Sequence, residues 1–187
     1  MSITSSEIKV GLWKLSVNSH IFKHELGWIG ISFSDIGLTK IVVPTQTLDQ
    51  CVAQLETSPT SDSVINNNVG KFLSEFEDYL KGIPTSFDKI TLDISDKTPD
   101  FYRAALMECI EIPYGETLSY KQIAENMGNP RSARAVGLAM ARNPLPIIIP
   151  CHRVVRSDGG LGGYGGTNSN TSIKQLFLDI EKAEYLQ

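Results

Sequence analysis

Apolar and polar residues alternate in the first part of the chain as they do in half-buried β-strands. Residues 8–12 follow a period of two, and residues 28–33 and 38–43 are two further apolar segments. A Ser-Asp-Ile-Gly turn at 34–37 separates these two segments. Alternation of this kind places every second side chain on one face of a sheet. The pattern predicts that the chain opens with an antiparallel sheet.

The spacing of apolar residues then changes to that of helices. Residues 48–55 and 69–80 have apolar side chains three and four positions apart, and Gly82 followed by Pro84 predicts a helix end. Alternating apolar residues at 90–94 predict one more strand. Helices therefore accompany the sheet in this half of the chain.

The second half has mainly helical patterns. Residues 98–100 (Thr-Pro-Asp) offer a cap hydroxyl, a proline for the first helical position and an acid for the first turn, so a helix should run to about Glu111. Two shorter helices are predicted at 119–127 and 132–141, joined by a turn at 128–131. This layout is typical of a helix-turn-helix, whose second helix enters a DNA groove. An ordinary helical hairpin fits the same pattern.

These elements predict an α+β fold with two parts. Residues 1–96 form an α/β subdomain with an antiparallel sheet, and residues 97–187 form a mostly helical domain that contains the helix-turn-helix. The sequence shows no flexible linker between the two parts and no internal repeat. A chain of 187 residues is long enough to bury its own core in this arrangement.

Composition and charge restrict the class of protein. The chain is 41% hydrophobic and 20% charged, an ordinary globular balance, and its formal net charge is −4. Residues 117–156 nevertheless carry six cations and one acid. A polyanion would be attracted to this stretch, although a solvated basic face explains the same charges.

The chain lacks a signal-peptide pattern at its first residues and an apolar stretch long enough to span a membrane. Its three cysteines are not paired in a disulfide or zinc motif. His20 and His24 have no cysteine partners, so no metal is expected. We expect an intracellular protein in a reducing compartment.

The second of the two short helices is rich in small residues. Ala133, Ala135, Gly137 and Ala139 surround one long charged side chain, Arg134. Small side chains permit close approach to a sugar-phosphate wall, whereas they offer little for reading the edges of bases. Packing against another helix through the alanines is the alternative.

Cys151 is the candidate nucleophile. It follows a proline-rich approach with an apolar run at 147–149, which predicts a buried strand. The thiolate form of cysteine is the nucleophile, and the adjacent His152 and Arg153 could favour it. Neighbouring residues point in different directions, so a bridging water is the expected route from His152 to Cys151. An inert core cysteine remains the alternative.

Residues 160–165 contain three spaced glycines that match a dinucleotide-binding fingerprint. That fingerprint requires a preceding strand, a helix that opens on it and an acid about 20 residues further on. This context is not evident here. The segment is therefore interpreted as a loop of close approach with Tyr164 on its rim.

Several motifs in order resemble the methylated-DNA-protein-cysteine methyltransferase family. They are Pro150-Cys-His-Arg-Val154, Asn143-Pro144, Arg134-Ala-Val-Gly137, Ile112 to Tyr120 and Gly162 to Gly166. The resemblance is close over residues 100–181 and extends to the amino-terminal part only in architecture. It implies a repair protein that transfers the alkyl group of O6-alkylguanine in double-stranded DNA irreversibly to its own cysteine.

The resemblance also implies roles for particular residues. Cys151 would accept the alkyl group, and His152 would act as its base through water, oriented by Glu181. Arg134 would fill the gap left by the flipped guanine, and Tyr120 would help to rotate the nucleotide. Asn143 would brace the turn beside the site, Ala135 and Gly137 would lie against DNA, and Tyr164, Val154 and Gly165 would close the pocket.

The implied reaction uses no cofactor and occurs once per molecule, in a monomer located in the cytoplasm or nucleoid, or in the nucleus of a eukaryote. Two other functions are considered. A module that only binds alkylated DNA would lack the cysteine, whereas Cys151 is present. A cysteine hydrolase would need a base in direct reach and an oxyanion hole, and it would turn over repeatedly.

Overall fold

A computed structural model describes residues 13–16, 19–55, 62–94, 98–164 and 171–182. By its internal contacts the chain divides into two compact units. The first consists of Met1–Gly70 with Ile90–Asp93, and the second of Lys71–Lys89 with Ile94–Gln187. The α+β fold class is confirmed, with an antiparallel sheet followed by mainly helical structure. The assignment of domains to 1–96 and 97–187 stays a prediction.

The first unit is built on a four-stranded antiparallel sheet in chain order. Its strands are β1 (Trp13–Ser16), β2 (Ser19–His24), β3 (Gly27–Phe33) and β4 (Leu38–Thr45). The predicted strands at 28–33 and 38–43 are thus confirmed, whereas β2 was not predicted. The predicted strand at 8–12 lies outside the described residues.

One face of this sheet carries helix α1 (Leu48–Gln54). Thr47 caps α1 by accepting a hydrogen bond from Gln50, whose side chain in turn accepts from the backbone of Thr47. Such a reciprocal capping box satisfies two amide donors that a helix start leaves unpaired. Beneath α1 lies an apolar cluster, which consists of Ile21, Val42 and Cys51 with Trp28, Leu48 and Leu55.

The prediction of a strand at residues 90–94 is wrong. Leu92 forms only a single parallel bridge with Leu38, the first residue of β4. The amide of Leu38 donates to Thr91 and its carbonyl accepts from Asp93, so both backbone groups of this residue are used. The pairing does not continue along β4, so residues 90–94 do not form a strand.

Helix α2 (Asp62–Leu80) ends where the sequence predicts, since Gly82, two positions after its last residue, adopts a φ of +75°. A left-handed residue after the last turn is a common helix end, and glycine adopts it without strain. In the second unit, the last turns of α2 present Phe72, Phe76 and Tyr79, all fully buried. The rings of Phe72 and Phe76 stack with centroids 5.5 Å apart.

Helix α3 (Asp100–Ile110) begins one residue later than its predicted cap requires. Pro99 occupies the cap position and makes no side-chain capping bond, so the predicted role of Thr98 as cap is wrong. The carbonyl of Pro99 accepts the amide of Arg103 as the first helical bond. Pro99 precedes the helix because its ψ of 140° is extended.

The two short helices of the predicted helix-turn-helix are present. They are α4 (Tyr120–Asn126) and α5 (Ala133–Ala141), which pack against each other and against α3. Ser119 caps α4 through a second capping box with Gln122. Strand β5 (Leu118–Ser119) precedes α4 and pairs in parallel with β6 (Val154–Val155).

Residues 147–149 do not form the predicted buried strand. Ile147 has a φ of +79°, and the amide of Ile149 donates to the carbonyl of Leu145 at 2.8 Å. These are features of a tight turn, which is buried as predicted. An apolar run reports burial but does not distinguish a strand from a buried turn. The described chain ends with α6 (Thr171–Glu181).

Candidate active site

Cys151 begins a short 3-10 turn, Cys151–Arg153, immediately after this buried turn. Asn143 braces the approach, because its side-chain amide donates to the carbonyl of Ile149 at 2.8 Å and its oxygen accepts the amide of Leu145 at 3.0 Å. The amide of Cys151 donates to the same Ile149 carbonyl at 2.7 Å. These bonds hold the cysteine in one place, with 6% of its surface exposed.

The surroundings of Cys151 act on its thiol in opposite directions. Burial raises the pKa of Cys151, whereas a hydrogen bond with Asn143, the charge of Lys174 and a hydrogen bond with Tyr164 lower it. A hydrogen bond to the backbone lowers the pKa as well, but burial outweighs all four influences, so the resting group is a thiol. A base must therefore remove its proton before it can act as a nucleophile.

Glu181, near the end of α6, lies at the centre of a buried cluster of donors. Its Oε1 accepts from Nε2 of His152 at 2.7 Å, from Arg153 at 3.0 Å and from the hydroxyl of Tyr79 at 2.9 Å. Its Oε2 accepts from Nε of Arg153 at 2.9 Å and from the amide of Gly115 at 3.2 Å. Burial raises its pKa, but the bonds from His152 and Arg153 prevail and lower that pKa to about 2.

His152 is a neutral base in this cluster. It is fully buried, and burial lowers its pKa despite the hydrogen bond and charge of Glu181, which raise it. Because Glu181 is ionised, Nε2 carries the hydrogen and Nδ1 keeps its lone pair. Nδ1 makes no hydrogen bond with any of the described residues. The lone pair is thus available to accept a proton.

Lys174 is a buried cation that the sequence analysis did not single out. Its Nζ donates to the carbonyls of Val154 and Leu161 and lies 3.4 Å from the hydroxyl of Tyr120. Burial lowers the pKa of Lys174 to about 8, although the nearby Cys151 raises it. The ammonium therefore joins β6, α4 and the loop that contains Gly160, Leu161 and Gly162, here called the glycine loop. Its charge favours the thiolate of Cys151.

The position of Lys174 on its helix could have indicated that this side chain is buried. Residues 174, 177, 178 and 181 lie on one face of α6, and Phe177 and Leu178 within this set are apolar core residues. A lysine and a glutamate at the two ends of such a face are buried charges, which are rare without partners. Spacing alone, however, does not identify those partners.

An open groove lies beside the second helix of the helix-turn-helix. It has a volume of about 500 Å³ and is lined by Tyr120, Lys121, Ala133, Arg134, Gly137, Arg156, Ser157 and Asp158. Arg134 is exposed on α5, whereas Ala135 is half-buried and does not line the groove. Three of the lining residues are cations and one is an acid, so the groove favours an anionic ligand.

The glycine loop approaches Tyr120 closely. Gly162 has a φ of +71°, and a β-carbon at this position would lie 2.9 Å from the hydroxyl of Tyr120. Only glycine satisfies both conditions without displacement. Val154 and Tyr164 are buried beside this loop, whereas Gly165 lies outside the described residues, and the role of all three in a pocket stays a prediction.

Within the described part of the chain, His, Cys, Asp and Glu side chains nowhere assemble in a group of three or more that could hold a metal ion. Among the same residues, none of the helices combines the length and the apolar character needed to cross a membrane.

The family model for the 6-O-methylguanine DNA methyltransferase, DNA binding domain, matches residues 100–183. A methylated-DNA–protein-cysteine methyltransferase of Methanosarcina barkeri is 47% identical over 108 residues, which cover 58% of this chain and 65% of that protein. The match therefore spans slightly less than two thirds of that relative. A protein of the same name from Mycobacterium leprae is 42% identical over 121 residues, or 65% of this chain and 70% of that protein.

Solved structures show the same relationship over most of the chain. The structure of Mycobacterium tuberculosis OGT in complex with DNA has a TM-score of 0.67 and 32% identity, and the match covers 88% of this chain and 92% of that one. An O6-methylguanine DNA methyltransferase from Methanococcus jannaschii has a TM-score of 0.62 and 27% identity, with coverage of 89% and 95%. The resemblance inferred from the motifs is confirmed: the chain belongs to the methylated-DNA–protein-cysteine methyltransferase family.

Proposed function

We propose that this protein repairs O6-alkylguanine in double-stranded DNA by moving the alkyl group to its own Cys151. The observation that carries the proposal is the position of this cysteine. It is held by Asn143 and Tyr164 and is followed directly by a buried histidine whose free Nδ1 can act as a base. Membership of the family supplies the substrate class.

In the proposed reaction, Nδ1 of His152 takes the proton of Cys151 through a bridging water. Glu181 then stabilises the imidazolium, since it accepts a hydrogen bond from Nε2 at 2.7 Å. The thiolate attacks the carbon attached to O6 of guanine. A carbon–sulfur bond forms, the carbon–oxygen bond breaks, and guanine leaves with the electron pair and takes up, through water, the proton that His152 removed from Cys151.

Each molecule should act once. The product on Cys151 is an alkyl thioether, which lacks the electrophilic carbonyl that water attacks in an acyl-enzyme. We expect no cofactor, because the nucleophile and the base are both side chains of this chain. A monomer is sufficient for the same reason.

The groove beside α5 is the proposed site for DNA. Guanine O6 lies inside the duplex, so the nucleotide must be flipped out at a cost of a few kcal/mol. Arg134 would fill the gap, while Tyr120 would help to rotate the nucleotide. The small Gly137 would allow the sugar-phosphate wall to approach, as would Ala135. Tyr164, Val154 and Gly165 would close the pocket, and the protein would act wherever the cell keeps its DNA.

Mass spectrometry of the protein after incubation with duplex DNA containing O6-methylguanine tests this proposal. The expected result is one added methyl group on the Cys151 peptide, while peptides with the buried Cys51 and Cys109 remain unmodified. Unmodified Cys151 beside repaired DNA would refute the mechanism. Tight binding of alkylated DNA without transfer would instead indicate a binding module, and repeated turnover would indicate a hydrolase.

A further inference from the structure

Tyr79 contacts the base of the proposed reaction, although it lies far from the motifs of the active site in sequence. Its hydroxyl donates to Oε1 of Glu181 at 2.9 Å and lies 3.3 Å from Nε2 of His152. Tyr79 is fully buried at the end of α2, within the second unit. The hydroxyl of Tyr79 therefore lies within hydrogen-bonding distance of both the carboxylate of Glu181 and the imidazole of His152.

The hydrogen atoms in this cluster can be assigned by counting donors and acceptors. Burial and the charge of Glu181 raise the pKa of Tyr79, so its hydroxyl keeps its hydrogen. That single hydrogen is directed at Glu181, which leaves the phenolic oxygen with lone pairs on the side of Nε2. Nε2 of His152 thus faces two acceptors, the carboxylate oxygen and the phenolic oxygen.

Two acceptors at Nε2 favour one form of the imidazole. The hydrogen of the neutral ring lies on Nε2, and Nδ1 keeps the lone pair that can receive the proton of Cys151. When His152 becomes an imidazolium, the same two acceptors stabilise its Nε2–H group. We infer that Tyr79 is a positioning residue for the alkyl transfer, whose hydroxyl keeps His152 in the tautomer that accepts the proton of Cys151. This inference rests on the proposed function.

The ring of Tyr79 is held independently of its hydroxyl. It packs with centroid distances of 6.1 Å to Phe87, 6.2 Å to Tyr114, 6.0 Å to Phe177 and 6.3 Å to His152. Phenylalanine would keep these ring contacts. Glu181 would also keep its bonds from His152, Arg153 and Gly115. Tyr79→Phe therefore removes one acceptor from Nε2 of His152 and one donor from Oε1 of Glu181, while the ring and the other bonds of Glu181 stay in place.

The test measures the reactivity of Cys151 without DNA. The rate at which iodoacetamide modifies the Cys151 peptide is followed against pH by mass spectrometry, for the full chain and for Tyr79→Phe. We expect the midpoint of the profile to move to higher pH in Tyr79→Phe, because a less basic His152 takes the proton less readily. A shift of half a unit to one unit corresponds to a rate about threefold to tenfold lower near neutral pH.

Other titratable groups also face this cluster, and Tyr79→Phe must leave them unchanged. They are Glu181 and Lys174 on α6, Arg153 in the 3-10 turn, Tyr114 before β5 and the buried Tyr164. Tyr114→Phe is the matched control, since its hydroxyl donates to the carbonyl of Ile180 at 3.3 Å. It loses a tyrosine hydroxyl bonded to the same helix, and its pH midpoint should stay that of the parent protein. Thermal unfolding verifies that both variants are folded.

A double variant tests whether Tyr79 acts through His152. When Tyr79→Phe is added to His152→Gln, the pH midpoint should not move further. A midpoint that is unchanged or lower in Tyr79→Phe alone would overturn the inference, as would an undiminished shift in the His152→Gln background. Methyl transfer from O6-methylguanine in duplex DNA is measured in parallel. If the parent protein transfers no methyl group, the proposed function fails, while the iodoacetamide profile still decides the role of Tyr79.

Discussion

Both units of the molecule bury cysteine, and Cys51 in the first unit and Cys151 in the second lie in different surroundings. Cys51 in the first unit packs among Ile21 and Val42, and burial raises its pKa to about 11 although a hydrogen bond with Thr45 lowers it. Burial also raises the pKa of Cys151 in the second unit, but three polar neighbours oppose it. Burial alone therefore makes a cysteine inert, and the groups placed around it determine whether it can react.

The same contrast extends to the other buried polar residues. In the first unit, the buried polar residues among those described are Ser19 and Ser32, whose hydroxyls bond each other at 2.8 Å. The second unit buries ionisable groups, namely His152, Arg153, Lys174 and Glu181. Buried charges cost free energy unless they are paired and hydrogen-bonded. The ionisable groups of the candidate site thus lie in the second unit, whereas the buried residues of the first unit are mainly apolar.

Replacement of Cys51 or Cys151 by alanine should have the largest effect of the proposed variants. It should also show the difference between the two units most clearly. Cys151→Ala is expected to abolish methyl transfer, because Cys151 is the thiol that forms hydrogen bonds with Asn143 and Tyr164. Cys51→Ala should transfer at the parent rate and unfold at a lower temperature, since it leaves a small cavity in an apolar cluster. Single-turnover transfer and thermal unfolding measure the two effects. Equal loss of transfer in both variants would contradict the comparison.

The ionised Glu181 should make the stability of the protein sensitive to acid. Its pKa is lowered from 4.5 to about 2 in the folded chain, so its contribution is present above pH 4.5 and is lost as the pH falls toward 2. A difference of this size corresponds to about 3 kcal/mol of unfolding free energy. Urea unfolding at pH 5.5 and pH 3 should show about 2 kcal/mol of this loss, because pH 3 still lies above the folded pKa.

Glu181→Gln provides the comparison for that loss. It should be less stable at neutral pH, because the buried Arg153 loses its anion, and its stability should fall less between pH 5.5 and pH 3. An equally steep fall in the variant would show that other carboxylates cause the acid sensitivity.

Exposed cations should differ between the units in their effect on repair. Arg134→Ala in the groove is expected to slow transfer from duplex DNA about tenfold, because the flipped nucleotide loses the side chain that replaces it. Transfer from the free base O6-methylguanine should change much less. Lys23→Ala on β2 of the first unit, also an exposed cation, serves as the control and should leave both rates unchanged. Equal losses of Arg134→Ala on both substrates would exclude a role in flipping.

Tight packing in the first unit should affect stability alone. A β-carbon at Gly30 would lie 2.9 Å from the sulfur of Cys51 and from both methyl groups of Leu55. Gly30→Ala should therefore reduce the unfolding free energy by about 1 kcal/mol without a change in transfer rate. Gly70→Ala on α2 has open space around it and should stabilise the helix slightly. A reduced transfer rate in folded Gly30→Ala would show that the first unit influences the site.

Local patterns in the sequence were sufficient for several elements. Strands β3 and β4, the end of α2 at Gly82 and the two helices α4 and α5 follow from periodicity and from glycine and capping residues. The apolar run at 147–149 was misassigned because a buried turn and a buried strand have the same composition. The bonds of Asn143 determine that turn, and they join residues on both of its sides.

By itself, the sequence determined the family of this protein, its α+β class and the identity of the candidate nucleophile, because motifs and periodicity are local properties of the chain. Only the tertiary structure showed that Tyr79, Arg153 and Gly115 converge on Glu181 and that Lys174 connects three segments. These contacts join residues up to 102 positions apart. Their pKa shifts arise from burial and from partners, which exist only when the chain is folded.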